Sequence, residues 1–145
     1  ALEYLDKAAQ KAAARYANQE ALHYFERALE LDPQFAAAHA SKARALVARA
    51  EYYAGRPRDL LTGALVSARR ALDLDPDHWR AYVALGDVRR TLEWDWEGAE
   101  ALEQAVELDP LCLTVGTSAA WVHYVAGDYH AAEERCRQYA DLDRR

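Results

Sequence analysis

A six-residue phrase recurs along this chain and decides most of what the chain can become. It reads Ala-Leu-Glu-Leu-Asp-Pro from Ala28 to Pro33, Ala-Leu-Asp-Leu-Asp-Pro from Ala71 to Pro76, and Ala-Val-Glu-Leu-Asp-Pro from Ala105 to Pro110. The last two prolines are 34 residues apart and the first two are 43 apart. A recurrence in that range marks stacked supersecondary units, none of which can bury its apolar face alone. Arrays of this kind present a long surface to another chain and rarely enclose a reaction centre.

The prolines set the register. Twelve residues before them stand Ala21, Ala64 and Gly98; eight before stand Phe25, Ala68 and Leu102; five before stand Ala28, Ala71 and Ala105. These offsets fall on one face of a helix. Small side chains there let a neighbouring helix approach, and Leu31, Leu74 and Leu108 extend the same stripe. Asp-Pro then ends each helix, because proline has no N–H to donate and pushes the preceding residue out of helical torsions. Counting 34 on from Pro110 reaches Arg144, so Leu142-Asp143-Arg144 reads as a fourth copy without its proline. In that copy Ala132 keeps the small position, Cys136 stands where Phe25 and Leu102 stand, and Tyr139 replaces an alanine.

Each second helix needs a first. These are expected over Leu2 to Tyr16, from near Gln34, over Asp77 to Leu92, and over Leu113 to Ala126, the last stopped by Gly127-Asp128. The longer interval places an insertion near residues 50–58, with an overlong first helix followed by a turn at Gly55 to Pro57. The expected fold is all-α, a superhelical array of four antiparallel helix pairs, eight helices in a single domain over 1–145. The repeats run near 2–33, 36–76, 79–110 and 113–144. The missing initiator Met and the abrupt ends point to a piece of a longer protein or a processed form.

Composition narrows the function. A formal charge of −6 and a pI near 5.3 argue against a nucleic-acid-binding surface. No apolar run is long enough to span a membrane and no signal peptide is visible, so a cytoplasmic setting is expected. Cys112 and Cys136 are too few for a disulfide framework. His123 and His130 have no second pair to make a metal motif, and no phosphate loop or nucleophile–base arrangement can be assembled. The chain is therefore not expected to be an enzyme or to carry a cofactor or metal.

Leu85-Gly86, Gly98, Ala105 and Pro110 in the third repeat, Gly127-Asp128-Tyr129 and Ala132 in the fourth, and Ala21, Phe25, Ala28 and Pro33 in the first carry a family likeness. The pattern resembles the tetratricopeptide repeat (TPR) family over essentially the whole chain. Trp94-Asp95-Trp96-Glu97-Gly98-Ala99-Glu100 and the long second repeat look like TPR segments of multidomain bacterial regulators. There such repeats follow a DNA-binding, cyclase or kinase domain.

The resemblance implies that first helices line a concave groove. Carrying the register over gives Glu3, Asp6 and Gln10; Ala37, Ala40 and Arg44; Arg80, Val83, Asp87 and Arg90; and Thr114, Thr117, Trp121 and Tyr124. In this layout Arg44, Arg80 and Arg90 hold an acidic or C-terminal carboxylate group. Trp121 and Tyr124 supply an apolar anchor. A Lys/Asn/Arg clamp for chaperone tails is absent, since Asp6, Gln10 and Ala84 occupy the matching positions. The leading expectation is a protein-interaction module that binds a protein or peptide in this groove. The alternatives are a regulatory or sensory segment of a bacterial transcriptional regulator, cyclase or kinase, and self-association through the repeat ends. For the last, Cys136, Tyr139 and Leu142 are expected to leave an apolar end exposed. Trp79 is expected to pack on the preceding repeat.

Overall fold

The computed structural model describes residues 1–14, 18–52, 57–92 and 96–143; the side chains of 13, 14, 52, 57, 90, 96, 97, 114 and 141–143 are outside the description. Among these residues the chain forms eight helices and no strand: α1 (Leu2–Ala14), α2 (Asn18–Leu31), α3 (Ala36–Tyr52), α4 (Pro57–Leu74), α5 (Trp79–Leu92), α6 (Trp96–Leu108), α7 (Leu113–Val125) and α8 (Tyr129–Asp143). Consecutive helices pack as hairpins, and each hairpin packs on the next.

The recurring phrase makes the same joint three times. The amide N–H groups of Asp32, Asp75 and Asp109 donate to the carbonyls of Ala28, Ala71 and Ala105 at 2.9, 2.8 and 3.0 Å, closing the helix. Past the proline, the N–H groups of Phe35, His78 and Cys112 return to the carbonyls of the same aspartates at 3.2, 3.2 and 3.3 Å. The Asp32 and Asp75 carboxylates accept the N–H groups of Gln34 (2.9 Å) and Asp77 (3.3 Å), the side-chain turn aspartate favours. The α7–α8 joint is built differently. Gly127 adopts φ +82, and the N–H of Asp128 reaches the carbonyl of His123 at 3.0 Å. That closure favours glycine because a Cβ is strained at positive φ.

The small positions named from the proline register lie in the core. Ala21, Ala64, Phe25, Ala68, Leu102, Ala28, Ala71 and Ala105 are buried, and so is Gly98. At Gly86 of α5 a Cβ would sit 2.5 Å from Leu102 Cγ and 2.9 Å from the Gly98 carbonyl oxygen. A methyl group there must move backbone. The overpacking cost, ~1–3 kcal/mol, exceeds the ~1 kcal/mol alanine gains over glycine in a helix. Gly86→Ala is therefore expected to lower the midpoint of thermal unfolding, as scanning calorimetry would show.

Three expectations need correction. Leu31 is 57% exposed, because it ends α2 beyond the last turn that faces a neighbour. The second pair is lengthened on both sides of its joint: α3 has 17 residues and α4 has 18, against 14 and 13 in α5 and α6. Pro57 is the first residue of α4 and not part of the turn, since proline's fixed φ and missing N–H suit a helix start. Residues 53–56, and with them Gly55, lie outside the description.

In the fourth pair Tyr139 is buried, not exposed, while Cys136 is exposed as expected. The Tyr139 ring fills the space left by Gly116 of α7, where a Cβ would lie 2.0 Å from Tyr139 Cε2. Burial pushes the Tyr139 phenol above its ordinary range, opposed by the Arg135 guanidinium. The side chain of Leu142 is outside the description.

Candidate functional site

Gln10, Arg44, Asp87 and Trp121 occupy one equivalent position in four successive first helices, at intervals of 34, 43 and 34 residues. Packing leaves all four at least partly accessible. Gln10 donates from Nε2 to the Ser41 hydroxyl at 3.3 Å, joining α1 to α3 along this row. Arg44 is half-buried on α3 and has no hydrogen-bond or ion-pair partner among the described residues. Asp87 is half-buried and engaged with a neighbour.

Arg80 lies over the Trp79 ring, its guanidinium carbon 5.0 Å from the centroid. Such stacking leaves the edge N–H donors free for an acceptor. Trp79 itself packs on the cluster of Val83, Leu102, Ala105, Val106, Val115 and Ala119, so it serves its own pair and the following one rather than the preceding repeat. The Arg90 side chain lies outside the described residues, as do the side chains of Trp94, Trp96 and Thr114.

Two other residues of the expected groove are not available to a partner. Ala40 and Val83 are fully buried, Ala40 with Ala71 and Ala81, Val83 in the cluster under Trp79. Their register carries them into the seam between neighbouring pairs, where small and β-branched side chains are needed.

Trp121 and Tyr124 are 49% and 54% exposed. Their rings stack at 5.6 Å between centroids, 25° apart, and Tyr124 meets Tyr129 edge-on at 5.5 Å. The three rings flank an open groove of about 550 Å³ between α7 and α8, completed by Thr117, Ala120, Ala132, Glu133 and Cys136. Neither Arg44 nor Arg80 lines it. The arginines and the aromatics thus occupy different parts of the surface, and Tyr129 joins the aromatics unforeseen. Its signal was its place directly after Gly127-Asp128, at the first turn of α8 beside the end of α7.

A polar link also escaped the sequence. Glu103 of α6 accepts from His123 Nε2 at 2.8 Å and from the Arg135 guanidinium, tying α6 to both α7 and α8. His123, a residue type that could ligate metal, is thereby engaged in holding helices. Among the described residues no cluster of three or more His, Cys, Asp or Glu side chains could hold a metal ion. No helix among them is long and apolar enough to cross a membrane.

The sequence model of the tetratricopeptide repeat matches residues 18–35, which hold α2 and its Asp-Pro joint. No curated protein matches the chain in sequence. A thermophilic TPR protein of Thermus thermophilus has a similar fold, with a TM-score of 0.79 at 21% identity over 98% of this chain and 74% of that one. Residues 41 to the end of MamA from Desulfovibrio magneticus superpose with a TM-score of 0.72 at 24% identity, over 99% of this chain and 76% of that one. The first TPR domain of Spaghetti, solved with the HSP90 peptide SRMEEVD, gives 0.67 at 17% identity over 87% and 93%. The repeat matched at residues 18–35, extended in this fold along the whole molecule, makes the chain a tetratricopeptide-repeat array of four antiparallel helix pairs.

Proposed function

We propose that this chain is a non-catalytic interaction module that holds a peptide or protein segment in the groove lined by its first helices. The row Gln10–Arg44–Asp87–Trp121 carries the reading. It is one helical position that packing leaves accessible, and its chemistry changes at every repeat. Arg44, which has no partner among the described residues, and Arg80, oriented by Trp79, receive an acidic side chain or a terminal carboxylate. Arg90 continues the basic stretch on α5, Asp87 sets the limit of its charge, and Trp121 with Tyr124 offers an apolar contact at the far end. The Spaghetti domain, whose solved complex holds an acidic peptide, gives a precedent for such a ligand on this fold.

Calorimetric titration with an acidic peptide ending in a free carboxylate tests this. The Arg44→Ala, Arg80→Ala double variant is expected to lose about tenfold in affinity, the loss of one good anchor. Unchanged affinity would remove the arginines from the site.

A further inference from the structure

The two ends of the array are complementary. Every internal seam is built from the same parts. One side of each first helix lies on the pair before it: Ala45 of α3 shares a cluster with Ala21, Leu22 and Phe25, and Val88 of α5 shares one with Leu61, Ala64 and Ala68, with Leu65 against it. In α7, Val115 and Ala119 join Leu102, Ala105 and Val106, with Val122 against them. The seam face of each first helix is therefore a triplet: Ala38, Lys42, Ala45; Ala81, Leu85, Val88; Val115, Ala119, Val122.

By the same register the triplet of α1 is Tyr4, Ala8, Lys11, and in this chain no helix covers it. Tyr4 is 72% exposed, where its equivalents Ala38, Ala81 and Val115 are fully buried. At the other end, the socket equivalent to Ala21, Leu22 and Phe25 reads Ala132, Glu133, Cys136. It forms one wall of the open groove flanked by Trp121, Tyr124 and Tyr129.

The charges settle which helix fits this socket. Inside the array the facing residues are both apolar: Ala45 with Leu22, and Val88 with Leu65. At the open ends both become charged, with opposite sign, as Lys11 on α1 and Glu133 on α8. Glu133 is otherwise held only by Arg137 of its own helix at 2.6 Å, both side chains largely exposed, a weak tie. A lysine–glutamate pair across a seam already exists inside the molecule, between Lys42 of α3 and Glu26 of α2 at 3.3 Å. The small Ala8 stands where α7 carries Ala119, so the helices can approach equally closely.

We infer that α1 of one copy seats in the α7–α8 groove of the next, as α7 seats on α5 and α6, with Lys11 against Glu133 and Tyr4 against Cys136. The contact is heterologous, so it adds copies head to tail and leaves a free plug and a free socket at the ends. It continues the seam without closing the first-helix row, since Asp87 stays accessible although α7 already covers the next seam.

Sedimentation velocity of the 145-residue chain over a range of concentrations is expected to show growing oligomers. Lys11→Glu alone and Glu133→Lys alone should each weaken association about tenfold, while an equimolar mixture of the two variants, or the double variant, should recover it. A second readout is independent of affinity. In a Tyr4→Cys, Cys112→Ser chain, mild oxidation should join copies through Cys136 and give a ladder of covalent oligomers, absent when Cys136→Ser is added. A chain that stays monomeric at every concentration overturns the inference. So does association that neither charge reversal changes, or a variant chain that forms no ladder. The peptide titration reads a different surface, so either proposal can fail while the other stands.

Discussion

Gly116→Tyr is expected to melt the last helix pair, and Gly116→Tyr together with Tyr139→Ala to rebuild it. The reason is an exchange of sizes between equivalent sites. In the third pair a large residue of α5, Tyr82, packs against a cluster that includes the small Ala105 of α6. In the fourth pair, 34 residues on, the small residue is Gly116 of α7 and the large one is Tyr139 of α8. A tyrosine at 116 would have to occupy the Tyr139 ring itself, since even a Cβ would come within 2.0 Å of it. That exceeds ordinary overpacking, which already costs ~1–3 kcal/mol. Tyr139→Ala alone removes a buried ring and leaves a cavity, at ~3–5 kcal/mol by analogy with buried Phe or Trp. The double variant restores the arrangement of the third pair. Urea midpoints of all four proteins form the cycle, and the expected coupling is at the upper end of ~0.5–3 kcal/mol for residues in contact. A double variant no more stable than its weaker parent would sink the argument.

The second large effect is expected at the opposite end. Phe25 is the one aromatic among the buried side chains of its cluster; around it stand Ala9, Ala12, Ala21, Leu22 and Ala45, with Tyr24 and Leu46 at the margin. Alanines have no atoms to extend into a void, so Phe25→Ala should cost close to the full ~3–5 kcal/mol. Phe25→Leu should cost much less, because leucine fills the equivalent place at Leu102, fully buried in the third pair. Far-ultraviolet dichroism at a fixed temperature separates the two. Loss of the α1 and α2 signal in the alanine variant, with little change in the leucine one, is the expected result. Equal stability of both variants would show that the cluster does not depend on that ring.

The array was legible because its punctuation is local. Asp-Pro stops a helix whatever surrounds it, and three stops at near-constant spacing fix which face of each second helix is buried. Leu31 misled because periodicity says nothing of where a helix outruns its neighbour. Gly116 was illegible for a different reason. Its significance lies wholly in Tyr139, 23 residues away in sequence, and a glycine within a helix reads alone as a weakness. The groove was half legible. Register identified Arg44, Asp87 and Trp121 as one row, but it could not show that Ala40 and Val83 turn into the seam. Nor could it show that Trp121 and Tyr124 gather with Tyr129 apart from Arg44 and Arg80. Those outcomes depend on how neighbouring pairs are rotated, which spacing along one helix does not encode.

The helices differ in how many neighbours hold them. α3 packs against α1, α2, α4 and α5, whereas the backbone of α8 lies against α7 alone, with the Arg135–Glu103 pair as its reach to α6. In a stacked array each unit owes part of its stability to the adjoining one, so opening is graded from the ends inward. The backbone amides of α8 therefore exchange with solvent through a shallower fluctuation than those of α3. A helix held on one side is also the one whose order responds most to a second contact. Anything seated on α8 would be felt along the chain as a change in how cooperatively the array unfolds.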